Sequence, residues 1–216
     1  MFVNLDAVEK AETIRFPYPH FMVPDFLSEE RLSAAIRDFP ELDMPGLFLP
    51  DSLTYGPLFS KLLRDLESDE LREIVGGKLG VDLAGRPTLV TVRGHCAPQD
   101  GKIHSDSHFK LVTLLLYLNE PWAEQGGRLR VLRSGTDIED YAGEVPPSGG
   151  TLFGFRVQEN SWHGHKPFVG PRRYVMVNYC RDIESRDREA ARHRLSGRVK
   201  KFKRLFGGAA LHERPV

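Results

Sequence analysis

The chain has 216 residues, 40% of them hydrophobic and 28% charged, with 30 basic residues balancing 30 acidic ones. That length can bury one substantial core, and there is no run of about 18 apolar residues and no apolar leader in MFVNLDAVEKAETIR, so a membrane span and a secretory signal are both excluded as expectations. A single cytoplasmic domain over residues 1–216 is expected, and with Cys96 and Cys180 alone neither a disulfide framework nor a cysteine zinc site is expected.

FPYPHFMVPDFLSEERLSAAIRDFP opens as a Pro-punctuated extended segment and continues as a helix. Ser28 suits the N-cap, Glu29 and Glu30 suit the positive end of the helix dipole, and Leu32, Ala35, Ile36 and Phe39 recur at helical spacing until Pro40. The Pro- and Gly-rich ELDMPGLFLPDSLTYGP is a loop. A second helix is predicted from about Leu58 to Leu79, with Leu62, Leu63, Leu66, Leu71, Ile74, Val75 and Leu79 as its apolar stripe and Gly76 and Gly77 weakening its end. Neither helix carries convergent ionisable groups, so residues of about 1–86 form a supporting helical layer.

From Pro87 the period changes. PTLVTVRGHC, KIHSDSH, LVTLLLYLN, GRLRVLRS, GGTLFGF and RYVMVNY are six short runs rich in strand-forming residues and separated by Gly, Pro and Asp clusters. Helices first and strands after predict an α+β chain whose β core, about 87–181, is a sandwich or jelly roll. The last segment, about 183–206, is predicted to be a helix with Leu195, Val199, Phe202 and Phe206 as a stripe packing on the β core or on a second subunit, which leaves a homodimer open. Between Arg181 and Arg204 ten basic residues face four acidic ones, a balance that suits a solvated helix face or, as the competing reading, nucleic acid.

The chemistry concentrates in Lys102 to Asn119, KIHSDSHFKLVTLLLYLN. In an extended chain His104 and Asp106 project from one face, aiming an imidazole and a carboxylate at one point. A third ligand from SWHGHKP, His163 or His165, would complete the two-His-one-carboxylate set that holds iron(II) and leaves coordination positions open. His20, His95 and His108 suit packing or surface roles better, and His193 and His212 belong to the basic tail.

HSD, TLLLYLN, GGRLRVL, PSGGTLFGF and SWHGHKPFVGPRRYVMVNY, in that order and spacing, resemble the iron(II)- and 2-oxoglutarate-dependent dioxygenases of the prolyl 4-hydroxylase-like group. The resemblance covers roughly residues 87–181, and PYPHFMVPDFLSEE resembles the lead-in of the same group. It implies a double-stranded β-helix (cupin-like jelly roll) with N-terminal supporting helices and a C-terminal basic helix, and Fe(II), 2-oxoglutarate and dioxygen as cofactor and co-substrates, with ascorbate as a candidate auxiliary. It places the metal ligands at His104, Asp106 and His163, the last because Pro167 follows it by four residues. It also places the cofactor's far carboxylate on Arg173, assisted by Tyr117, with Thr113 and Leu115 lining the pocket. Alternation along the last strand agrees on Arg173, because Val175, Val177 and Tyr179 give its face an apolar, inward character while Arg172 turns away.

Two departures from the group stand out: His165 occupies a position usually small and hydrophobic, and the frequent Tyr upstream of His-x-Asp has no equivalent, with Arg93 the candidate substitute. An Asp at the carboxylate position implies hydroxylation rather than halogenation. The activity implied is a hydroxylase acting on a small molecule or a peptidyl residue. The alternatives are a nucleic-acid demethylase, which the basic tail motivates and the absence of a second Arg six residues after Arg173 opposes, and a catalytically silent metal-binding jelly roll.

Overall fold

The computed structural model describes the backbone of residues 1–207 and the side chains of residues 1–197. Helix α1 (Leu5–Lys10) is capped by Asn4, whose side chain accepts from Ala7 N. It is followed by strand β1 (His20–Val23) and helix α2 (Glu29–Arg37), which Ser28 caps as predicted. The single helix expected over 58–79 is two helices, α3 (Pro57–Leu66) and α4 (Asp69–Leu79). Ser68 makes the break, because its hydroxyl accepts from Leu71 N and starts a new helix where the apolar stripe alone reads as continuous. Gly80, with φ of 65°, closes α4 in the left-handed conformation that favours glycine.

The strands are β2 (Thr88–Cys96), β3 (Lys110–Tyr117), β4 (Leu129–Leu132), β5 (Tyr141–Val145), β6 (Leu152–Arg156), β7 (His163–Gly164) and β8 (Gly170–Cys180), and helix α5 (Ile183–Gly207) follows. They form two antiparallel sheets, one in the order β1-β6-β3-β8-β2 and one in the order β5-β4-β7. This mixed architecture agrees with the α+β expectation. Its differences from the sequence reading are local. KIHSDSH is irregular chain apart from one bridge at His104, whereas β1, β5 and β7 escaped notice because each is short and lacks a β-branched run.

The larger sheet is buried on both faces, and that fixes what each strand must carry. On one face Val112, Leu114 and Leu116 of β3 and Val175, Val177 and Tyr179 of β8 join Leu62, Leu66, Leu71 and Val75 of α3 and α4 in the main core. On the other, Leu115, Tyr117, Phe153, Phe155 and Tyr174 meet Leu129, Val131 and Val145 of the smaller sheet. Arg173 therefore lies on the helix side, its guanidinium 5.7 Å from the Phe39 ring centre, while Arg172 points between the sheets and is buried. This reverses the expected register. The apolar face of β8 is the one packed on helices, and the polar face is the one that lines a cavity.

Helix α5 also departs from expectation. Leu195 is 66% exposed and does not pack on the β core, while Val199, Phe202 and Phe206 lie outside the described side chains. Within the described part the helix pairs many of its own charges, Arg188 with Glu184 and Arg192 with Glu189, and Arg194 reaches Asp51. Among the described residues no helix is long and apolar enough to cross a membrane, and Cys96 and Cys180 are buried free thiols.

Removing the fully buried Leu66 side chain leaves a cavity under the sheet, so Leu66→Ala should cost about 2–5 kcal/mol in urea denaturation. Leu195→Ala should stay within about 0.5 kcal/mol of wild type. Equal losses in the two variants would mean that α5 is packed through Leu195 in solution.

Candidate active site

The site begins with a bridge between distant segments. His104 N donates to His163 O at 3.0 Å and His163 N donates to His104 O at 2.9 Å, which brings the two imidazole centres to 4.3 Å. Each ring is then oriented by its own Nδ1–H: His104 donates to Lys102 O at 2.8 Å and His163 to Ser161 O at 2.9 Å. With Nδ1 protonated, the Nε2 lone pair of each ring is left to act as a ligand. Asp106 completes the group, and the ligand atoms of His104, Asp106 and His163 all lie within 4.8 Å of one another.

Asp106 is gripped through both oxygens. Lys110 Nζ reaches Oδ1 at 3.0 Å, and Thr113 Oγ1 donates to Oδ2 at 2.6 Å. Burial pushes this carboxyl up, but Lys110, His163 and the Thr113 hydroxyl together hold it down at about 2, so it is ionised. Thr113 Oγ1 also lies 3.0 Å from the Asn178 side-chain amide. The atom facing it is Asn178 Oδ1, and because a hydroxyl has one proton, Thr113 can serve only one of the two oxygens, the shorter contact being the one to Asp106. His163 is kept neutral, its pKa lowered by burial to about 4 despite the pull of Asp106.

Support for these side chains extends into parts of the chain with no motif. Tyr18 is buried and its hydroxyl donates to Trp162 O at 3.1 Å, while Asn160 Nδ2 donates to Pro17 O at 2.9 Å. The N-terminal segment thus holds the turn that delivers His163. Phe155 packs against the His163 ring at 4.9 Å.

The triad opens into a cavity of about 360 Å³ lined by Thr113, Leu115, Leu129, His165, Arg172, Tyr174 and Met176, among others. Arg172 is 3% exposed, lies between the rings of Tyr117 and Tyr174 at 5.3 Å from each, and donates to Gly127 O at 2.8 Å and to the Tyr117 hydroxyl at 3.4 Å. No carboxylate pairs with it among the described residues. Arg173 is absent from the cavity wall, and Tyr117 sits behind Arg172. Arg93 is held by Asp100 at 2.5 Å. His165 lines the cavity but stands outside the metal-ligating group; its Nδ1 donates to Lys166 O at 2.8 Å, and burial first, then Arg172, lower its pKa to about 4. His95 turns its Nδ1 to Cys96 O, and His108 is not in the group either. A larger cleft of about 670 Å³, lined by residues of 37–44 and 52–56, contains no histidine.

Of the residues that matter here, Arg172, Lys110, Asn178 and Tyr18 were not singled out as site residues from the sequence. Arg172 had a visible signal, because it belongs to the polar set Arg172, Asn178 on β8 that an enclosed cavity needs. Tyr18 had none, since its role depends on a contact 144 residues away.

Over part of the chain, comparison with known proteins agrees with the superfamily named in the resemblance stated above. Residues 92–181 match the 2OG-Fe(II) oxygenase superfamily. Among curated proteins no sequence match is found. Among solved structures, a prolyl-4-hydroxylase from Pseudomonas putida aligns over 82% of this chain and 90% of its own, with 21% identity and a TM-score of 0.53. A 2OG-Fe(II) oxygenase family oxidoreductase from Burkholderia pseudomallei aligns over 76% and 84%, with 13% identity and a TM-score of 0.50. The viral collagen prolyl hydroxylase of Paramecium Bursaria Chlorella virus-1, a 2OG complex, aligns over 75% and 96%, with 17% identity and a TM-score of 0.48. The first of these alignments supports a fold shared across most of both chains, and it is consistent with a jelly-roll core.

The buried neutral imidazoles link stability to pH. Unfolded, His163 and His165 take up protons near pH 6.5; folded, both resist until about pH 4, so the unfolded state binds more protons in between. The metal-free protein should therefore keep its full stability above pH 6.5 and lose on the order of 2–3 kcal/mol per histidine as pH falls toward 4. Urea denaturation across this range should show the loss, and His165→Val should reduce it. A flat profile would contradict the burial of these rings.

Proposed function

We propose that this protein is an Fe(II)- and 2-oxoglutarate-dependent oxygenase that hydroxylates a C–H bond of a small molecule or peptidyl residue, within a single domain whose core is a double-stranded β-helix. The observation that carries the reading is the coexistence, in one cavity, of a two-His-one-carboxylate group and a buried guanidinium without a carboxylate partner. His104, Asp106 and His163 would hold the iron: two neutral imidazoles presenting Nε2 and one ionised carboxylate are the donor set that suits iron(II) with open positions. When bound, iron and 2-oxoglutarate supply dioxygen activation coupled to decarboxylation of the 2-oxo acid to succinate.

The chain's own residues serve that chemistry in identifiable ways. The backbone bridge and the Nδ1–H bonds orient the two imidazoles, and Lys110 and Thr113 keep Asp106 charged and fixed, so the ligand set is organised before metal arrives. Arg172 would take the far carboxylate of 2-oxoglutarate. A guanidinium stripped of water and held by Gly127 O and Tyr117 has its remaining donors free for a two-pronged grip. Thr113 and Leu115 would flank the same molecule, and Leu129, Tyr174 and Met176 exclude water from the centre.

The test is a succinate-release assay under air with iron(II), 2-oxoglutarate, ascorbate and pooled substrates, paired with iron binding. Asp106→Ala should lose tight iron binding and turnover while keeping the folded circular dichroism spectrum, and wild-type turnover in that variant would overturn the assignment. His163→Ala should damage iron binding far more than His165→Ala. For the co-substrate, a lost charge-assisted hydrogen bond is worth roughly 1.5–3 kcal/mol, or about one to two powers of ten in binding. Arg172→Ala should raise the half-saturating 2-oxoglutarate concentration by that factor, Arg172→Lys by less, and Arg173→Ala hardly at all.

A further inference from the structure

We propose that the substrate of this site is a small carboxylic acid and that Lys102 receives its carboxylate at the mouth of the cavity. The inference rests on the iron and 2-oxoglutarate reading above and narrows its substrate. The cavity of about 360 Å³ is near the lower end of small-molecule sites, and a five-carbon diacid bound to Arg172 already fills a good part of it. The part of the substrate that enters beside it must be small.

Charge then selects among small molecules. Four cations line the cavity, Arg93, Lys102, Lys110 and Arg172, against two carboxylates, Asp100 and Asp106. Lys110 is paired with Asp106 and Arg93 with Asp100. Arg172 is assigned to 2-oxoglutarate. The ammonium of Lys102 has neither an acidic nor a hydrogen-bonding partner among the described residues. Loading with a divalent cation and a dianion leaves the total unchanged, so the filled cavity keeps a surplus of positive charge. A cleft with low-dielectric walls concentrates such a field on an incoming ligand, and it favours an anion.

The side chain of Lys102 is exposed, but the backbone that carries it is built into the site. Its loop is pinned on every side: Asp100 accepts from Ala97 N at 2.8 Å and from Arg93, Gly101 O accepts from His165 N at 2.9 Å, and Lys102 O accepts from His104 Nδ1. Gly101 has a φ of +85° and lies so close to the His165 ring that a Cβ there would collide with it. The backbone carrying Lys102 is thus locked to a proposed metal ligand, and its exposed side chain lines the cavity into which the triad opens. A carboxylate held there would share the cavity with the proposed metal ligands.

The experiment needs no knowledge of the natural substrate. Protein loaded with Mn(II) and saturating 2-oxoglutarate, both bindings verified by calorimetry, is titrated with propionate and separately with propionamide, and paramagnetic relaxation of the methyl protons is recorded. Propionate should be relaxed at least threefold more than propionamide, and Lys102→Met should bring it down to the amide's level. Equal relaxation of acid and amide, or a propionate effect that survives Lys102→Met, would overturn the proposal. A loss of 2-oxoglutarate affinity in Lys102→Met as large as the loss of the propionate effect would assign the lysine to the cofactor and overturn it too. If the wild-type protein binds neither Mn(II) nor 2-oxoglutarate, the oxygenase reading itself fails and takes this inference with it, a result distinct from intact cofactor binding without a preference for the acid.

Discussion

The site depends on one short piece of sheet, the reciprocal pair of backbone hydrogen bonds between His104 and His163. Together with the bond from His165 N to Gly101 O, it is what ties the irregular HSD segment to the two-residue strand β7, which β4 holds on its other side. With it, two imidazoles 59 positions apart in sequence face one point. Everything near this pair acts to hold it: the larger sheet carries Thr113 and Asn178 under Asp106, the smaller sheet carries β7 on Val131, and the N-terminal segment fixes the turn before His163.

A second constraint comes from burying the larger sheet twice. Such a strand cannot show the simple inside/outside alternation of a half-exposed sheet, since both of its faces are inside. In β3 the result is a nearly unbroken apolar run after Lys110, and Thr113 within that run marks the cavity face. In β8 the same logic places Arg172, Tyr174, Met176 and Asn178 toward the cavity and Val175, Val177 and Tyr179 toward the helices. Treating the more apolar face as the inward one put Arg173 in the cavity. A better rule for such a strand is that the polar face looks at the site, because an enclosed polar side chain needs partners that a helix–sheet core does not offer.

What was legible in the sequence follows the same division. The grouping of His104, Asp106 and His163 could be read because one dipeptide spacing and one proline-anchored histidine carry it locally. The long helices were legible from their apolar stripes, although Ser68 divides one of them and only the hydroxyl's choice of partner reveals it. The short strands β1, β5 and β7 were not legible. Their stability comes from neighbours far away in sequence, as with His20 to Val23 pairing with Leu152 to Phe155, and no local pattern announces it. Leu195 is exposed for the converse reason, since helical spacing shows what a helix could bury and not which face meets the core, and here Ala190 is the residue that packs on Leu49, Leu89 and Cys180.

The family match covers residues 92–181, yet the site does not end at those limits. Tyr18 and Pro17 brace the turn before His163, Leu47 lines the cavity wall, and Phe39 lies beside Arg173 on the back of β8. The matched segment supplies the donors that chemistry requires, whereas the N-terminal residues supply support and part of the wall. The wall draws on both parts of the chain, with Leu47 from the N-terminal part and Lys102, Leu115, Leu129, His165 and Tyr174 from the matched segment, whereas the donors come from the matched segment alone. A site built this way could keep its triad while Leu47, His165 or Lys102 changes, since all three line the cavity and none belongs to the metal-ligating group.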